Sequence, residues 1–222
     1  MTLKMAKSKF TTKYTTAVHE AGHAVAACSV GFGMKKRGIV LEELKGTAYI
    51  RGPGRRSRNA KLREIYHQRN AVVSLAGPAA EYRVNEGLTH SDADVQTIAC
   101  ALRELLPCKQ DYIERVLNCN DEWGDFWALV YILATITDRE RAMTDLEMSA
   151  KEMSANIDVS IFNALWPFAQ RAHAILDICW PSVEQISERL LKTGSISGPE
   201  IESIVGLSAA KIGRRAITVA RV

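Results

Sequence analysis

Apolar positions recur at helical spacing through most of the chain. From Thr12 to Val30 small and apolar side chains predict a first helix, capped by Thr11 or Thr12 and stopped by Gly31 and Gly33. "RGIVLEELKGTAYIRG" (37–52) is the one extended stretch. "GIVLEEL" and "GTAYI" read as two short strands with Gly46 near the turn. A long helix is predicted from Ser57 to Asn85, with Leu62, Ile65, Val72, Val73, Leu75, Ala79 and Ala80 as its apolar stripe. Gly77–Pro78 marks a kink or split in it. After a loop over 85–90, another helix runs from Ser91 to Leu106. Two more fill 109–156, broken near Asn118–Gly124 and again at Thr137. Residues 158–193 form a further helical stretch interrupted at Pro167 and Pro181 and ended by Gly194. "SISGPEIESIVG" (195–206) is a short capped helix with Pro199 in its first turn. The fold class is mainly α, with a small β element after the first helix and a C-terminal helical region. Residues 1–222 are expected to form one domain: a core over 1–106, a helical region over 107–206 and a basic tail over 207–222.

Composition changes this picture little. The hydrophobic share is 47% and the charged share 24% in 222 residues, as in ordinary globular chains. A net charge of +4 does not call for nucleic acid or an anionic membrane. Basic residues gather at 34–37, 51–58 and 211–221, read as solvated loops and a frayed terminus. The longest apolar run, "FWALVYILATI" (126–136), is about half of a bilayer span, so no membrane span is expected. No apolar stretch follows the charges of residues 1–13, so no leader is expected. Five widely spaced cysteines without a CxxC pair fit buried thiols in a reducing cytoplasm.

Candidate chemistry lies in "AVHEAGHAVAA" (17–27). His19 and His23, four apart, share one helix face, so their imidazole nitrogens can converge on one ion at about 2.0–2.1 Å, a geometry that suits Zn2+. Glu20, about 100° around the helix from His19, can flank the ion without ligating it and act as a base. Gly22 amid small residues predicts the close approach of another backbone, since an interior glycine costs about 1 kcal/mol relative to alanine. A third ligand is needed. Spacing leaves three candidates, in order Asp94, Glu81 and His90. Asp94 also reads as a first-turn acid in a capping box with Ser91.

Four segments in order resemble the peptidase domain of the FtsH-type ATP-dependent zinc metalloproteases: "AVHEAGHAVAA" (17–27), "RGIVLEELKGTAYI" (37–50), "VVSLAGPAAEY" (72–82) with "SDADVQTIACAL" (91–102), and residues 171–205. The resemblance spans about residues 12 to 205. It implies His19, His23 and Asp94 as zinc ligands and Glu20 as catalytic base. It also implies that "GTAYI", with Gly46, Thr47, Ala48 and Tyr49, is an edge strand that binds an extended peptide through its backbone. The chain departs from the family in two ways: it has no GxxxxGK[ST] phosphate loop, and Pro78 stands where the family usually has a basic residue.

The expected activity is hydrolysis of peptide bonds in unfolded or extended polypeptides by a zinc metalloendopeptidase. A separate ATPase or further copies of the chain are the expected partners. Tyr66, His67 and His90 are candidate second electrophiles. Two rival readings are a non-catalytic or weakly active adaptor of ATP-dependent proteases, with 121–133 and 161–170 as assembly faces, and a zinc hydrolase of small amides.

Overall fold

The computed structural model describes residues 13–43, 45–52, 58–85, 92–117, 125–152 and 159–212. They form a mainly helical structure with one small sheet. In chain order the elements are α1 (Lys13–Ser29), β1 (Gly33–Glu42), β2 (Lys45–Arg51), α2 (Ala60–Asn85), α3 (Asp92–Leu105), α4 (Gln110–Leu117), α5 (Asp125–Thr135), α6 (Arg139–Glu152), α7 (Val159–Thr193), β3 (Ser195–Ile196) and α8 (Gly198–Ile212). A 3-10 turn, Pro107–Lys109, links α3 to α4. Among the described residues no helix is long and apolar enough to cross a membrane. The predicted caps Thr11 and Thr12, and the residues 118–124 of the predicted break, lie outside the described residues.

The centre of the molecule is α1, in which every residue from Thr15 to Ala27 is buried. It packs against α2, α7 and both hairpin strands. The expected close approach at Gly22 is present: a Cβ there would lie 2.7 Å from the Ala76 carbonyl oxygen and from the Ala80 Cβ. One hydrophobic cluster runs from Ala17 in α1 to Val205 in α8, so the N-terminal and C-terminal portions share a core.

The structure corrects several sequence expectations. Of the long stretch predicted over 158–193, Val159–Thr193 is one uninterrupted helix. A proline inside a helix costs roughly 3 kcal/mol, chiefly by orphaning the carbonyl four residues back. Those carbonyls belong to Asn163 and Asp177, which are exposed together with Pro167 and Pro181, so water can take over the bonds. The opposite face buries Ile161, Phe162, Leu165, Trp166, Ile175 and Leu176 among others, at roughly 1.5–3 kcal/mol per side chain, which outweighs two prolines. α2 likewise continues through Gly77–Pro78 without a split. The break near Thr137 is real: Asp138 caps α6, its carboxylate accepting the Arg141 backbone N–H at 2.9 Å. The last helix begins at Gly198, not 195, and runs to Ile212, so residues 207–212 belong to it and not to a frayed tail.

The sheet is larger than the sequence suggested. Its order is β2-β1-β3, all antiparallel, so β2 is an edge strand among the described residues. Strand β1 begins at Gly33 and takes in Lys35–Arg37, which were expected in a loop; it advances five residues from Met34 to Ile39 while β2 retreats two from Ile50 to Ala48, a bulge. Gly46 lies near the turn as expected: it pairs with Leu41 in β2, one step inside the closing pair Glu42 and Lys45. Glu43 there adopts a φ of +48°. In the described parts of the segments proposed as assembly faces, Leu129, Val130, Ile132, Leu133, Phe162, Leu165 and Trp166 are buried core residues.

Candidate metal centre

Helix α1 sets the first two donors. The one-turn spacing brings His23 Nε2 to 3.0 Å from His19 Nε2, the two rings nearly perpendicular at 80°. The first turn of α3 supplies the third donor. Asp94 Oδ2 lies 3.2 Å from His19 Nε2, and Asp94 Oδ1 lies 3.2 Å from His23 Nε2. All three side chains are buried, and this is the one group among the described residues that could hold a metal ion. Three donors bound tetrahedrally to one ion at about 2.0–2.1 Å would sit about 3.3 Å apart, close to the edges seen here.

Helix α2 orients the rings from behind. His19 Nδ1 lies 2.9 Å from Glu81 Oε2, and His23 Nδ1 lies 2.7 Å from the Val73 carbonyl oxygen. Both partners are acceptors, so each Nδ1 must carry and donate the proton. In the neutral imidazoles both Nε2 atoms are then bare lone pairs, 3.0 Å apart and facing a carboxylate. Asp94 Oδ2 is itself buried without a hydrogen-bond partner among the described residues, although it is within ion-pair distance of His19. Such a cluster favours positive charge. One proton on either Nε2 supplies part of it, donated to the other nitrogen or to Asp94, but a second Nε2–H 3.0 Å away would collide with the first. A single divalent cation satisfies all three donors at once.

Electrostatics point the same way. Burial pushes the His19 imidazole down, but Asp94, Glu81 and Glu20 outweigh it and hold the group well above its ordinary 6.5. Burial also pushes His23 down, yet Asp94 and Glu20 leave it raised despite the opposing charge of His19. Burial pushes the Asp94 carboxyl up, but His23 and His19 hold it well below the usual carboxylate range. For protein stripped of metal the consequence has a definite sign. A histidine with a raised folded pKa contributes stability fully below its unfolded value near 6.5, and this is lost as pH rises through the folded value. Zn2+ competes with those same protons. The gap in Tm between zinc-supplemented and chelated protein is therefore expected to widen from about pH 6 to about pH 9; a gap that narrows would contradict this electrostatic account.

Two glycines make room for the site. A Cβ at Gly77 would stand 2.3 Å from His23 Nε2, so only bare backbone in α2 lets that ring lie where it does. A Cβ at Gly46 would stand 2.3 Å from Glu20 Cγ and 3.0 Å from Glu20 Oε1. Strand β2 thus leans directly on Glu20, which is buried in α1 beside both histidines. Gly77→Ala is expected to push the His23 ring aside and weaken zinc affinity at least tenfold, by analogy with lost orienting contacts. Isothermal titration with Zn2+ reads this directly, and unchanged affinity would show that the ring tolerates the extra methyl.

The structure therefore brings His19, Glu20, His23 and Asp94 together. It places Glu81 behind His19 and not in the triad, so of the two carboxylate candidates Asp94 is the one beside both Nε2 atoms. His90 lies outside the described residues. Tyr66 stacks on Phe32 with centroids 5.7 Å apart and meets buried His67 edge-on at 5.2 Å; neither belongs to the metal-competent group. Thr47, Ala48 and Tyr49 lie with Gly46 on β2. The orienting role of the Val73 carbonyl was not predicted, because a backbone acceptor leaves no mark in side-chain spacing. No protein-family model matches the chain, and no curated protein matches it.

Proposed function

We propose that the chain is a zinc metallopeptidase acting on extended polypeptides, of the kind its resemblance to FtsH-type peptidase domains implies. One observation carries the reading: a buried His–His–Asp triad has a glutamate outside it, one residue from His19 and in contact with an edge strand. Two imidazoles and one carboxylate suit Zn2+, with a fourth position open. The same donors also serve ferrous sites, but a carboxylate placed beside the triad favours hydrolysis. A bound Zn2+ would supply Lewis acidity, bringing the pKa of a water towards about 7 and polarising a carbonyl.

The protein's own groups do the rest. Glu20 accepts the proton of the attacking water and delivers it to the leaving amine. Glu81 and Val73 fix the ring orientations of His19 and His23. The backbone of β2 pairs with a substrate strand and presents its peptide bond beside Glu20. Backbone pairing accounts for polypeptide substrates over small amides. Driving force for unfolding would come from a separate ATPase, and further copies of the chain are the other expected partner. Five widely spaced cysteines without a CxxC pair support the reading of a protein that works in a reducing cytoplasm. Hydrolysis of denatured casein by the purified chain, abolished in Glu20→Gln, tests the proposal; activity that survives in that variant would refute it.

A further inference from the structure

The outer face of the hairpin carries a charge pattern that the proposed chemistry does not use. Lys35, Lys36 and Arg37 form the bulge of β1 and are exposed, and none is ion-paired to a described residue. The Arg37 guanidinium lies over the Tyr49 ring, 4.6 Å from its centroid. The ring face attracts the cation there, and the guanidinium still has N–H groups to offer a carboxylate. Alternation along β2 fixes which side this is. Gly46 turns towards Glu20, and Ala48 and Ile50 pack on the core, so Tyr49 points the other way, to the solvent face. The nearby acids are elsewhere: Glu42 and Glu43 of the hairpin sit at its tip with Lys45, and Glu202 of α8 holds Arg51 at 3.3 Å.

Resting on the reading of β2 as the strand that receives substrate, we propose that this cationic face selects extended peptides bearing an acidic side chain about three residues from the one that faces Gly46. Three residues of strand span about 10 Å, the separation along β2 between Gly46 and Tyr49. A peptide strand added to the edge lies about 4.8 Å from β2, with same-face Cβ atoms opposite Tyr49 about 5 Å away. A glutamate or aspartate at that position reaches the Arg37 N–H groups, with Lys35 and Lys36 adding to the field. Exposed pairs are individually weak, so the expected discrimination is about tenfold between acidic and basic peptides at low salt. It is expected to shrink in about 0.5 M NaCl, where charges are screened within a few ångströms.

The test walks one Glu, Gln or Lys through an internally quenched octapeptide of alanine and leucine. It measures kcat/KM with the zinc-supplemented protein and, separately, binding of the same peptides to Glu20→Gln by fluorescence anisotropy. The expected result is one position where Glu exceeds Lys about tenfold in both readouts. The preference is expected to reverse in the Lys35→Glu/Lys36→Glu/Arg37→Glu variant, whose folding is checked by its Tm. Cleavage or binding without charge preference, or a preference that survives the reversal, overturns the proposal while leaving the peptidase reading intact. Selective binding without any cleavage supports charge selection and removes the peptidase reading. Neither binding nor cleavage overturns both.

Discussion

Glu20→Gln is expected to keep its zinc and lose peptide hydrolysis by about 10²- to 10⁴-fold, the range general acid–base catalysis supplies. Glutamine matches glutamate in shape, so the contact with Gly46 and the packing of α1 survive. What disappears is the ability to take a proton. Glu20 is outside the triad, so the three donors keep their positions and metal content is expected to stay near wild type. The loss should fall on kcat more than KM, because the interaction removed is made with the moving proton and not with bound substrate. Steady-state kinetics on a quenched peptide, beside metal analysis of the same samples, measures both. Loss of zinc in Glu20→Gln would mean that Glu20 is a ligand and that the division of labour drawn here is wrong.

Asp94→Ala is expected to have the larger effect on the metal itself. The carboxylate closes the triad at 3.2 Å from each histidine nitrogen and is the only one of the three donors with formal charge when the imidazoles are neutral. Without it two bare nitrogens 3.0 Å apart must hold the ion alone. Affinity is expected to fall by more than the roughly 10–100-fold that loss of an orienting partner costs. Glu81→Ala provides the calibration, since Glu81 acts through His19 Nδ1 and should cost only that smaller amount. Competition titrations with a chromophoric chelator give both values. If Glu81→Ala proved the more damaging, the ligand and the orienting carboxylate would have been assigned the wrong way round.

Much of this site was legible in the residues. The spacing of His19 and His23 with Glu20 between them fixes donor geometry through helix pitch alone, and the mainly helical fold follows from apolar periodicity. Asp94 was only the first of three candidates by spacing, because its distance from α1 depends on how α3 returns across the core. Glu81 and Asp94 are both acids on neighbouring helices, and periodicity does not say which one turns towards Nε2 and which towards Nδ1. Gly46 was legible as a residue near the turn, but not as the one that makes room for Glu20; the packing of Glu20 against β2 is a tertiary demand with no local signature. The prolines of α7 misled for the opposite reason. Their cost is local and readable, but the buried face that outweighs it belongs to the assembled core. Strand β3 is two residues long and owes its existence to β1, so no run of alternating residues announces it.

Whether His19, His23 and Asp94 hold one divalent cation can be seen by anomalous diffraction at the zinc edge, on crystals grown with stoichiometric Zn2+. The expected map has a single peak about 2.0–2.2 Å from His19 Nε2, His23 Nε2 and an Asp94 carboxylate oxygen. A map with no peak among those three atoms, or with zinc bound elsewhere while they stay empty, would contradict metal binding by this triad.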